Sequence, residues 1–157
     1  MNFNLTDNFD HREKTILAML DSGLPGIAVI SAASDLEWTL RRAIVALGQS
    51  PNKEIHKKIE KASGLRIYAK HWNSEVGIRF HQPLELLIAD WNNFVDSTYK
   101  LRHKLVHGAI SKTTREYATP RVEEILRATK AIIDFGYRND IDLYKRLPIR
   151  RIAWTPK

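Results

Sequence analysis

A chain of 157 residues, 43% hydrophobic and 27% charged, is long enough for one domain with a core and too balanced for wholesale disorder. Its net charge of +7 suits an anionic partner such as nucleic acid, while the absence of cysteine removes disulfides, thiolate nucleophiles and Cys-ligated zinc. No apolar run reaches the roughly 18 residues of a membrane span, Asp7, Asp10 and Glu13 are unlike a secretory leader, and a cytoplasmic protein is expected.

The pattern reads as helical nearly throughout. Thr6 is suited to cap a first helix ending near Asp21, with Phe9, Ile16, Leu17 and Leu20 as its apolar stripe and Gly23 as its stop. Leu24-Pro25-Gly26 is a sharp turn, and Pro25 opens a second helix that runs to Leu47. Val29, Ala32/Ala33, Leu36, Leu40, Ala43/Ile44 and Leu47 recur there at helical spacing, and Gly48 ends it. Trp38 lies off that stripe, at a core edge or on a dimer face.

Pro51 to Ala62 reads as a short exposed helix anchored by Ile55 and Ile59. Residues 65–82 are expected to be a short strand or irregular crossing, with a loop from Asn73 to Gly77. A long helix is expected from Leu84 to about Val106, its stripe being Leu84, Leu87/Ile88, Trp91, Phe94/Val95, Leu101 and Leu105. Gly108 should stop it. Thr119 followed by Pro120 predicts the start of the last helix, which Val122, Ile125/Leu126, Thr129 and Ile132/Ile133 carry to Gly136. The fold class is therefore all-α, an antiparallel bundle of four to five main helices over residues 1–138. Residues 139–157 form a basic extension whose Ile149, Ile152 and Trp154 favour docking on the bundle.

The chemically informative stretch is Tyr99-Lys100-Leu101-Arg102-His103-Lys104-Leu105-Val106-His107-Gly108. His103 and His107 are four apart on one helical face, and Gly108 should leave His107 at the helix end. Such a set suits cleavage of RNA. A histidine near its neutral titration range can take the proton of the ribose 2′-hydroxyl or supply one to the departing 5′-oxygen. A guanidinium fork stabilises the charge gathering on the pentavalent phosphate. The scheme calls for no cofactor and no metal, and irregularly spaced His71 and His81 predict no zinc site. Trp72, Trp91 and Trp154 are expected in the core or an interface.

Arg102-His103-x-x-x-His107 resembles the signature of the HEPN domain family: arginine, a polar residue, then histidine, late in the third major helix of a bundle. The resemblance implies a HEPN-like bundle and a metal-independent endoribonuclease in which two copies of the motif face each other across a homodimer interface. Many members are toxins or defence effectors, held in check by an antitoxin; others are non-catalytic modules that bind a protein or nucleotide. Arg102, His107 and His103 would then be catalytic. Lys104, Lys100, Glu37 and Arg41 would contact RNA, with Ser34, Glu37 or Arg41 lining the cleft opposite Arg102. Where one branch of the family carries a modifiable tyrosine two residues after the histidine, this chain has Ala109.

Three competing readings come from the residues alone. Arg66-Ile67-Tyr68-Ala69-Lys70-His71 repeats the Arg-x4-His spacing, but its apolar Ile67 and non-helical setting mark it as a decoy. Glu37 and Arg41 are expected to pair with each other as i,i+4 neighbours. The run His56-Lys57-Lys58-Lys61 reads as a solvated face able to track a phosphate backbone.

Overall fold

The computed structural model describes residues 8–156, and they form an all-helical fold with no strand among them. Helix α1 spans Phe9–Asp21 and buries Phe9, Arg12, Ile16 and Leu20. Its cap is Asn8, whose side chain accepts from the His11 N–H at 2.9 Å; Thr6 lies outside the described residues. Helix α2 spans Pro25–Leu47 with proline at its start and Gly48 at its end, as its stripe predicts. Helix α3, Asn52–Ile59, is anchored by buried Ile55 and Ile59.

The stretch expected to be a strand or crossing is helical instead. Helix α4 spans Leu65–Trp72 and buries Leu65, Tyr68, Ala69 and Trp72, the i, i+3, i+4, i+7 spacing of an amphipathic helix. It continues through a π-helical turn, Asn73–Gly77, into the single turn α5, Ile78–Phe80. The expected loop is thus a widened helix. Its Glu75 is buried and accepts from the Ser50 N–H, the Ser50 hydroxyl and Lys58 Nζ.

The single long helix expected over 84–106 is broken in two. Helix α6, Leu84–Leu87, ends at extended Ile88, and Asp90 adopts φ 51° before α7, Trp91–Asn93, begins. A π-helical segment, Phe94–Tyr99, then leads into α8, Lys100–Val106. The widening falls where the apolar stripe jumps six positions, from Val95 to Leu101: an added residue per turn keeps both on the core side. Helix α9 spans Arg115–Arg138 and begins five residues before the Thr119-Pro120 signal. Thr114 is the cap, accepting from the Tyr117 N–H at 3.2 Å, and exposed Pro120 is tolerated within the helix.

Helix α2 is the centre of the fold. It packs most extensively on α9 and also meets α1, α3, α4 and α8. Ala28, Ala32, Ala33 and Ala43 are fully buried, letting these neighbours approach closely. The residues after α9 dock on the same helix through hydrogen bonds, while Ile149 and Ile152, expected to anchor them, stay exposed. Arg42 donates to the Leu143 and Lys145 carbonyls, each at 2.6 Å, and Arg150 donates to the carbonyls of Ser50, Ala46 and Val45. The Trp154 N–H reaches Gln49 O at 2.7 Å.

A buried ion pair joins α1 to α2. Arg12 and Asp35 are bonded to each other at 4% and 2% exposure, and burial pushes the Asp35 carboxyl up despite the arginine's opposing effect. The Arg12 guanidinium lies 4.1 Å from the Trp38 ring centroid and 5.4 Å from that of Tyr144, the two rings being 5.7 Å apart. Trp38 is therefore occupied within the chain. Replacing Arg12 with leucine should lower stability by about 3–5 kcal/mol, because it strands a buried carboxylate. Arg12→Leu combined with Asp35→Leu should recover much of that loss in chemical denaturation.

Glu75 makes the opposite kind of pH dependence. Burial resists its ionisation, but the bonds from Lys58 and Ser50 outweigh that and hold its carboxyl below the ordinary value of 4.5. A depressed folded value adds stability above the unfolded value, and that stability is lost as pH falls through the folded one. Glu75→Gln should therefore cost about 1.5–3 kcal/mol at neutral pH. The gap between variant and wild type should close in acid, as measured by denaturation across a pH series.

Candidate active site

Helix α8 carries the motif, and its three sides have different surroundings. Leu101 and Leu105 point to the core, Leu105 coming within 3.7 Å of where a Cβ on Gly26 would lie. Arg102 points towards α2. Its Nη2 lies 3.7 Å from Glu37 Oε1, and its buried Nε has no hydrogen-bond partner. Glu37 also accepts a hydrogen bond from the Tyr99 hydroxyl. Burial, and then that bond to a carboxylate, push the Tyr99 hydroxyl far up, so it is a fixed donor.

His103 and His107 are exposed and adjacent, with ring centroids 4.2 Å apart and planes tilted by 46°. The helix ends where Gly108 predicts. The His107 N–H closes the last turn on His103 O at 3.0 Å, and Gly108 turns the chain away at φ +72°. His107 thus stands at a helix terminus, unencumbered by a following turn.

A cleft of about 620 Å³ lies beside these groups, lined by Tyr99, Arg102, His103 and His107 of this segment and by Arg66 and Ile67 of α4. Lys100 also lines it, while Lys104 faces an adjoining cavity. Glu37 stands behind Arg102, where it orients the guanidinium. It does not pair with Arg41 as the i,i+4 spacing predicts. Arg41 instead donates from Nε to the Tyr68 hydroxyl at 2.6 Å and from Nη2 to Ala62 O at 3.0 Å, and it borders a groove with Lys53, His56 and Lys57 of α3. Ser34 is exposed on α2.

Arg66 is the site residue that pattern reading discards. Because residues 65–72 are helical, Arg66 projects beside the motif and donates to Asp96 at 2.9 Å. Its resemblance to the Arg-x4-His spacing is incidental; the helical phase of Leu65, Tyr68 and Trp72 is the signal that locates it. Among the described residues no group of three or more His, Asp or Glu side chains is placed to hold a metal ion, and no helix is long and apolar enough to cross a membrane.

Chemically the cleft offers a cation held from behind, two imidazoles at its open rim and a further arginine opposite. Those are the elements of phosphate binding with proton transfer. The left-handed turn at Gly108 keeps the rim in place. Nothing crowds a Cβ there, so Gly108→Ala should cost only the backbone term, about 1–2 kcal/mol, and Gly108→Asn less, by thermal or denaturant unfolding.

No family model matches the chain, and neither a curated protein nor a solved structure shows detectable similarity to it.

Proposed function

We propose that this protein is an endoribonuclease of HEPN type. It cuts RNA by attack of the internal 2′-hydroxyl on the adjacent phosphate, and the 5′-oxygen leaves with a proton. The products are a 2′,3′-cyclic phosphate and a 5′-hydroxyl end. The observation that carries the reading is the pairing of Arg102, steadied by Glu37, with the adjacent rings of His103 and His107 at the open end of α8. On this reading α1, α2, α7–α8 and α9 would serve as the principal helices of the bundle, with α3–α6 between the second and third.

In this scheme Arg102 neutralises the phosphorane oxygens and His107 transfers a proton. His103 orients the phosphate or shares that transfer. Lys100, Lys104 and Arg66 add positive charge along the strand. The second proton-transfer group comes from the facing motif of a homodimer. Ile67 and Val106, 45% and 46% exposed at the cleft lining, suit contact with a second copy. A toxin or defence effector restrained by a protein antitoxin is the matching biological role.

The Glu37–Arg102 pairing also suits a binding module in which Arg102 is only structural. One experiment separates the two. Wild-type protein incubated with RNA in EDTA should yield cyclic-phosphate ends, while Arg102→Ala and His107→Ala should each lose about 100-fold or more in rate with helical circular dichroism unchanged. Undiminished cleavage in either variant would sink the catalytic assignment.

A further inference from the structure

A second cavity, of about 540 Å³, lies on the opposite flank of α8 from the Arg102 side, against the loop after α8 and the first turn of α9. Its size falls within the roughly 300–1,000 Å³ of ligand-holding pockets. Three lysines converge on it: Lys100 and Lys104 from α8 and Lys112 from the loop. All three are exposed, and none has an acidic partner within ion-pair distance among the described residues. The one carboxylate in the lining, Asp96, is engaged by Arg66 on the cleft side.

An aromatic ring completes the set. Tyr117, 48% exposed, lines the cavity and has the Arg121 guanidinium 3.5 Å from its ring centroid. Arg121 in turn donates to Tyr117 O at 2.8 Å, so the ring is braced on one face and has the other to offer. In the same wall the buried Thr113 Oγ1 has no hydrogen-bond partner, as expected of a group that awaits a ligand oxygen.

We propose that this cavity is a subsite for the RNA strand flanking the cut, with the three lysines on its phosphates and Tyr117 stacked on a base. The inference rests on the reading of the neighbouring cleft as the site of RNA cleavage. Two features favour a nucleic acid over an acidic peptide. Lysines four residues apart are about 6 Å apart along the helix, the scale of one nucleotide step in an extended strand. A braced aromatic face beside them is the usual platform for an unpaired base. The two cavities are also continuous in their lining: Lys100 and Asp96 belong to both, so a strand leaving the His103–His107 rim meets the second cavity directly.

The test uses a single-stranded RNA of about ten nucleotides in which every 2′-oxygen is methylated, so that binding is read without turnover. Fluorescence anisotropy should show Lys104→Gln/Lys112→Gln binding about tenfold or more weaker at 0.1 M salt, a concentration at which screening of exposed charges reaches only about 10 Å. Its log–log salt slope should be smaller by about 1.4, two charges at about 0.7 each on a single strand. Tyr117→Leu should bind about 5- to 100-fold weaker with its salt slope unchanged.

Lys14→Gln/Lys130→Gln removes the same charge from exposed positions on α1 and mid-α9 and should change affinity about twofold at most. Equal losses in both lysine pairs, or no loss with Tyr117→Leu, would overturn the subsite. So would a poly-glutamate peptide bound as tightly and with the same sensitivity to Tyr117. Failure of the cleavage reading is told apart by unmethylated RNA. A wild type that leaves it intact yet holds the methylated strand through these residues retains the subsite without the reaction.

Discussion

The structure depends on the burial of α2. A helix covered on almost every side has nowhere to leave a charge, yet α2 carries Asp35, Glu37, Arg41 and Arg42 within two turns. Each is met by a different part of the chain. Asp35 meets Arg12 of α1, and Glu37 meets Tyr99 from the segment leading into α8 and Arg102 of α8 itself. Arg41 meets Tyr68 of α4 and the Ala62 carbonyl, while Arg42 meets carbonyls after α9. Removing Arg12 strands a carboxylate where water cannot replace it, whereas the other three charges lie on the partly buried margin of the helix. These four links orient the surrounding elements about α2 more specifically than apolar contact alone, which is non-directional.

The candidate site is one consequence of that constraint. Glu37 needs donors, and the widened turn Phe94–Tyr99 supplies them by bringing Tyr99 and Arg102 round to face α2. Arg102 is therefore not a loose surface arginine. It is held against the central helix while His103 and His107, on the next face, remain open to solvent. On the proposed reading, a held cation beside two exposed imidazoles would divide the binding of charge from the transfer of protons on one helix.

Much of this was legible in the sequence, and the failures have physical causes. The all-helical class, the bounds of α2 and the stop at Gly108 follow from uninterrupted apolar spacing and from glycine placement. Residues 65–72 resemble a strand because Ile67, Tyr68 and Trp72 favour strands locally, whereas Leu65, Tyr68, Ala69 and Trp72 together bury one helical face. The break at Ile88–Asp90 carries no glycine or proline, so the left-handed Asp90 gave no signal. Thr119-Pro120 misled in the other direction, since a proline on an exposed face near the start of a helix leaves only a carbonyl that solvent can reach. Of the cleft lining, Arg102, His103, His107 and Lys100 lie in the motif segment, but Arg66 needs the helical assignment of α4 to be placed there.

The positive charge that composition reports also divides in two. Several arginines are used inside the fold. Arg150 and Arg79 bond the last carbonyls of α2 and that of Gly48, where a helix end leaves acceptors unsatisfied and favours cations. Burial lowers the proton affinity of both, a cost that their several hydrogen bonds offset. Arg12 and Arg42 flank Trp38. Guanidinium groups suit these tasks because one planar fork can satisfy two carbonyls at once. A lysine ammonium lacks that fixed planar geometry, and Lys100, Lys104 and Lys112 are left at the surface around α8 without acidic partners among the described residues. Net charge overstates what is available to a partner. The disposable part is largely lysine, and three of those lysines gather beside the one helix that also presents two histidines.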